Sequence, residues 1–191
     1  MSEVTFRFTG LSPLMQSNPA GMLAAATRKP SKTSSVEAPE LEAAKRVYRN
    51  ALGELYHPAE AFRSALIDAA SGYKVGKTYI KTLIMGGVFI ATETAPLLDP
   101  ASGEPIMDYI VDCRRCVVQS QGIVRARPRI ERWMTTVAFD VDEGVFTDSR
   151  VLLTYFEIAG RTVGVGEYRP KPPKFSSGKG GPFGRFTAEL M

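Results

Sequence analysis

Arginines recur at every second position in residues 125–129 (RARPR), at Arg125, Arg127 and Arg129, and Arg132 and Trp133 follow at once. In an extended chain that spacing puts three guanidinium groups on one side, where they can follow successive phosphates of a polyanion. A solvated edge strand guarded by charge would show the same pattern. Trp133 could stack on a base, but a lone tryptophan of this kind more often fills a core, and burial is the expectation. A second concentration of positive charge spans residues 161–185. It comprises Arg161, Arg169, Lys171, Lys174, Lys179 and Arg185 against the single acid Glu167, interleaved with glycines, Tyr168, Phe175 and Phe183. Glycines let backbone amides approach phosphate closely while the cations attract it. The segment lacks the spacing of a dinucleotide or P-loop fingerprint, so a flexible surface loop is the competing reading.

Other candidate chemistry is thinner. Cys113 and Cys116 have zinc-ligand spacing, but a four-ligand site needs two further Cys or His, and His57 is the only histidine. Two arginines between the cysteines on a strand also suit a redox motif poorly, so structural thiols are expected. His57, just before Pro58, could serve as general acid or base of a metal-independent RNA-cleaving enzyme, although this is also an ordinary turn position. Asp140, Asp142, Glu143 and Asp148 read as a solvated turn and helix cap rather than a two-metal site. No cofactor, no metal and no catalytic residue is expected.

The chain has 191 residues, enough for one well-buried core, with 44% hydrophobic and 23% charged residues and a formal net charge of +4. That excess is modest, and it matters because it is clustered. Residues 112–132 carry six arginines against Asp112 and Glu131. No apolar run approaches the roughly 20 residues of a spanning helix. The opening MSEVTFRF has no basic region followed by an apolar run, so no secretory signal is expected, and two cysteines are too few for a disulfide framework. A cytoplasmic protein without membrane attachment is expected.

The supporting elements follow from periodicity. Val4, Phe6 and Phe8 alternate as in a half-buried strand. Residues 17–40 read as an irregular insertion, with a short helix at 20–27, and 40–52 as a helix. A helix at 59–70 starts after Pro58 and stops at Gly72. Strands are expected at 78–84 and 88–92 around Gly86 and Gly87, then short ones at 109–111 and 116–118. Pro128 makes the arginine arm an edge strand at best. A strand at 135–141, a helix at 149–159 ended by Gly160, a glycine-rich loop at 164–184 and a closing strand at 186–190 complete the chain. Two βαβ halves of this kind predict one α+β domain over 1–191. Its fold would be a ferredoxin-like, RRM-like βαββαβ sheet with helices on one face, the other face open for a ligand, and an inserted thumb-like segment at 17–52.

Three segments together resemble the RAMP superfamily, in particular backbone subunits of CRISPR effector complexes and their phage-borne relatives. They are FTGLSPLMQSNP at 8–19, YHPAEAFRSALIDAA at 56–70, and GRTVGVGEYRP with GGPFGRF at 160–170 and 180–186. The last pattern is also similar to uncharacterised phage and prophage proteins. The helix segment departs from the family by carrying Ala59, Glu60 and Ala61, so guide contacts there are not carried over. The resemblance implies a non-catalytic protein that binds single-stranded RNA or DNA, with copies arranged along the strand as a homo-oligomer. Two other readings stay open: an RNA-processing endonuclease using His57, and a phage structural or inhibitory protein that meets an acidic protein.

Overall fold

Alternation along residues 4–8 has the predicted consequence. Phe6 and Phe8 are fully buried, while Glu3 and Arg7 lie on the other side of the same strand. The computed structural model describes residues 1–20, 38–118, 121–171 and 180–191. In chain order its elements begin with β1 (Ser2–Gly10), β2 (Leu14–Met15), α1 (Pro39–Ala44), β3 (Tyr56–Pro58) and α2 (Glu60–Ala69). A 3-10 turn (Ala70–Gly72) leads to β4 (Lys74–Val75), β5 (Thr78–Tyr79), α3 (Ile80–Gly87), β6 (Val88–Ile90) and β7 (Thr94–Pro96). The chain continues through β8 (Ile110–Val118), β9 (Gln121–Ile130), β10 (Met134–Val141), α4 (Arg150–Thr162) and β11 (Phe186–Leu190).

The protein is mixed α and β with antiparallel sheets. The main sheet has the order β11-β1-β10-β6, each neighbour antiparallel. Helices α2 and α4 cover the face that carries Phe6 and Phe8. The Phe8 ring lies 4.5 Å from Phe62 of α2, 5.0 Å from Phe156 of α4 and 5.3 Å from Phe186 of β11. Aromatic pairs at such separations add roughly 0.5–1.5 kcal/mol beyond their buried area. The uncovered face bears Glu3, Thr5, Arg7, Thr136, Asp140, Thr187 and Glu189, with Arg7 paired to Glu189 at 3.7 Å. It is mixed in charge and largely polar, with Ala138 and the exposed Phe89 as apolar members. The arginine-rich segment lies elsewhere.

That segment is β9, in a second sheet of order β2-β9-β8. Expected as an edge strand or free arm, β9 is instead the middle strand. Pro128 fits there because its carbonyl accepts from the Gln16 amide at 3.0 Å, so its missing N–H points the same way, beyond the two-residue β2. The two short strands expected at 109–111 and 116–118 form one strand, β8.

Three further expectations are corrected. Of residues 78–84, read as strand, only 78–79 are one, and 80–84 belong to α3 because Ile80, Ile84 and Gly87 share one buried helical side. The helix expected over 40–52 stops at Ala44, after which the chain turns back. The Tyr48 amide then donates to the Gln16 side chain at 3.0 Å. With Ala43 and Val47 buried, residues 38–47 pack on the protein, while residues 21–37 of the expected thumb-like segment lie outside the described residues. The short helix read at 20–27 lies outside the described residues, apart from Ala20. Finally, α4 passes through Gly160 to Thr162. No helix among the described residues is long and apolar enough to cross a membrane.

Gly160 is where α4 lies directly on β11, because a Cβ there would collide with the backbone carbonyl of Phe186. Gly160→Ala should therefore lower the unfolding free energy by roughly 1–3 kcal/mol. An unchanged urea midpoint would show that the helix does not sit on this strand.

Candidate nucleic-acid interface

Register decides which side chains share a face of the second sheet. Arg125, Arg127 and Arg129 lie opposite Arg114, Asp112 and Ile110. Directly opposed residues point to the same side. The three arginines therefore do line one side of β9, as their spacing predicts, and Arg114 of β8 joins them. Ala126 and Ile130, on the other side, are buried.

Every arginine on this face has a partner. Asp112, with 6% of its side chain exposed, accepts from Arg114 Nε at 2.6 Å and from Arg129 Nη1 at 2.6 Å. Burial by itself would raise its pKa, but the hydrogen bonds and charges of the two arginines hold the carboxyl below the usual aspartate range. Arg129 also meets Glu131 at 2.5 Å. Glu42 of α1 accepts from Arg125 at 3.3 Å, from Arg46 at 3.1 Å and from the Ala126 amide at 3.0 Å. Burial opposes its ionisation, and these donors outweigh it to lower the pKa.

The C-terminal loop is folded onto the same face. The Arg127 guanidinium stacks over the Tyr168 ring at 5.0 Å and lies 3.8 Å from Glu167. Arg114 stacks over Phe183 at 4.7 Å. Tyr168 takes a left-handed backbone (φ 51°), unusual for a residue with a side chain. An open groove of about 670 Å3 runs beside these groups, lined by Asp112, Arg114, Arg115, Arg129 and Tyr168 among others. The loop thus brings Tyr168 and Phe183 to the arginine face of β8 and β9, on the second sheet and not the main one.

The remaining predicted residues are spread out. Arg132 is exposed and 3.5 Å from Asp99. Arg161 is exposed at the end of α4, and Arg185 is exposed just before β11. Arg169 reaches inward, with Nη1 3.5 Å from the Gly164 carbonyl oxygen. Lys171 docks on the end of α2, 3.2 Å from the Asp68 carbonyl oxygen. Lys174 and Lys179 lie outside the described residues. The loop glycines have a structural use as well. A Cβ at Gly184 would strike the Val165 carbonyl oxygen, and one at Gly181 that of Tyr168, so the two arms of the loop can close on each other. Sequence reasoning passed over Asp112, Arg114, Arg115, Phe183 and Glu42 as site residues. Reading residues 110–118 as one strand would have shown Asp112 and Arg114 on a single side.

Trp133 is fully buried, with its indole N–H donating to the Ser12 carbonyl at 3.0 Å. Cys113 is exposed on β8 and neither cysteine lies at a helix N-terminus. Among the described residues no cluster of His, Cys, Asp and Glu could hold a metal ion.

No family model matches the chain, and no curated protein matches it in sequence.

His57 lies on β3, 4% exposed, with Tyr48 and Phe62 edge-on at 5.8 and 6.2 Å. Its Nδ1 has no hydrogen-bond partner among the described residues. Burial first, and the charge of Arg169 second, push its pKa from 6.5 down to about 4. Because the folded value lies below the unfolded one, the stability tied to the neutral ring is complete above pH 6.5. It drains away as pH falls towards 4. His57→Phe should remove roughly 3 kcal/mol of acid sensitivity across that window. Denaturant titrations at pH 7, 5.5 and 4 would check this, and parallel pH profiles for the two proteins would contradict it.

Proposed function

We propose that this protein binds single-stranded nucleic acid without cleaving it, through the arginine face of β8 and β9 and the aromatic residues that the C-terminal loop brings to it. The observation that carries the reading is the row Arg125, Arg127 and Arg129 with Arg114 opposite, flanked by Tyr168 and Phe183. Arginine forks suit phosphate, and aromatic rings stack on bases without regard to sequence.

The carboxylates on this face are compatible with that role because they differ in exposure. Glu167 and Glu131 are 42% and 47% exposed, so either carboxylate can turn into water when a phosphate takes its place. Asp112 is buried and serves instead to hold Arg114 and Arg129 in place. Arg115, Arg161 and Arg185 add exposed cations. The interior position of His57 favours binding over cleavage as the role of the chain.

The main-sheet order supports a finer reading. Taking β1, α2, β6, β10, α4 and β11 as the six units of a βαββαβ fold, the order β11-β1-β10-β6 is that of a ferredoxin-like, RRM-like sheet. On that basis we extend the proposal to repeated copies along the strand, in the manner of CRISPR effector backbone subunits and their phage-borne relatives.

Fluorescence anisotropy with labelled oligouridylate and oligodeoxythymidylate tests the core of it. Binding should weaken steeply between about 50 and 200 mM salt, each phosphate contact adding about 0.7 to the slope of log affinity against log salt. Arg125→Gln with Arg127→Gln should lower that slope by about 1 to 1.5. No binding to either oligonucleotide at the lower salt would reject the reading.

A further inference from the structure

A second patch of positive charge, without a carboxylate partner among the described residues, lies on the connection between α2 and β6. No Asp or Glu occurs from residue 69 to residue 92, while Lys74, Lys77 and Lys81 all fall there. β4 and β5 form a hairpin with Lys74 opposite Tyr79 and Val75 opposite Thr78. Gly76, at φ +59°, takes the first turn position, where a type II′ hairpin needs glycine. All residues from 71 to 79 are exposed, including Tyr73 at 46%, Val75 at 63% and Tyr79 at 43%.

The base of the hairpin is anchored. Ile80 is buried, its amide donates to the Tyr73 carbonyl at 3.0 Å, and the Tyr73 ring meets Tyr155 of α4 at 5.4 Å. None of the three lysines is paired with a carboxylate among the described residues. Lys74 only lies over the Tyr79 ring, at 4.3 Å. The arginine face is the opposite case, with an acid beside each cation. Like charges close together on the hairpin and the start of α3, with no acid between them, repel one another, and a bound anion offsets that repulsion.

We infer that this lysine–tyrosine hairpin, with the first turn of α3 behind it, is a second contact for the phosphodiester backbone of a single strand, Lys74 and Lys77 of the hairpin and Lys81 of α3 meeting phosphates and Tyr79 a base. The inference rests on the nucleic-acid reading above and extends its footprint. Continuity with the first face is visible in bonded steps. Tyr168 stacks on Arg127, and three residues later Lys171 grips Asp68, 3.5 Å from its carboxylate, near the end of α2. That helix runs through the Ala70–Gly72 turn straight into β4.

The test is a triple variant, Lys74→Gln, Lys77→Gln and Lys81→Gln, beside the pair Arg125→Gln and Arg127→Gln. Both are read by anisotropy on 30-nucleotide oligouridylate and by ultraviolet cross-linking of bromouridine-substituted strand. Circular dichroism melts verify that folding is unchanged. The lysine variant should bind roughly tenfold or more weakly at low salt, with a slope shallower by about 2, and the wild type should cross-link at Tyr79. If the lysine variant binds like wild type while the arginine variant weakens, the hairpin inference is overturned and the arginine-face reading survives. If only the lysine variant weakens, the hairpin stands and the arginine face loses its role. A wild type that ignores the oligonucleotide but retains polyglutamate overturns the inference in favour of an acidic polypeptide.

Discussion

The ring of Phe8 is the point on which the architecture turns. One side chain, on an interior strand of the main sheet, touches α2, α4 and β11 through Phe62, Phe156 and Phe186. These partners come from distant parts of the chain, so none can reach its place until the long loops between them have closed. Burial of the ring fixes the register of β1 as well, because a slip of one residue would carry Arg7 into the core and Phe8 into water. Through that register the positions of β10 and β11 follow, and with them the start of the C-terminal loop.

The second sheet is organised by charge instead. A buried carboxylate is costly unless paired, and Asp112 meets the cost with two arginines from adjacent strands. Arg114 and Arg129 are thereby held before any ligand arrives, which lowers the ordering entropy that binding would otherwise lose. Arg127 is treated similarly by Tyr168, whose left-handed backbone is the local cost of aiming its ring. The molecule thus joins an aromatic core that sets topology to an ionic layer that sets side-chain direction.

Much of the main sheet was legible in the amino-acid order, because Val4, Phe6 and Phe8, and later Val137, Phe139 and Val141, alternate without interruption. The strand at residues 135–141 and the helix beginning near residue 149 needed nothing beyond period and capping. The second sheet was less legible. Pro128 argued against an interior strand, and only the end of β2 at Met15 explains how it is tolerated. Residues 80–87 (IKTLIMGG) are too short a run for period alone to separate strand from helix, and only the shared buried side of Ile80 and Ile84 decides it. The common side of Arg125, Arg127 and Arg129 was readable from spacing. Their carboxylate partners were not, since Glu42 and Asp112 arrive through tertiary packing.

The chain holds a single tryptophan, and its surroundings decide what it can report. Trp133 packs against Gly10, which has no side chain to displace the indole, and its N–H is engaged by Ser12. Emission from this fluorophore therefore follows the integrity of the hydrophobic interior and stays silent to events at the charged surface. Optical unfolding and optical titration are separate channels in this molecule, the first intrinsic and the second requiring an added dye.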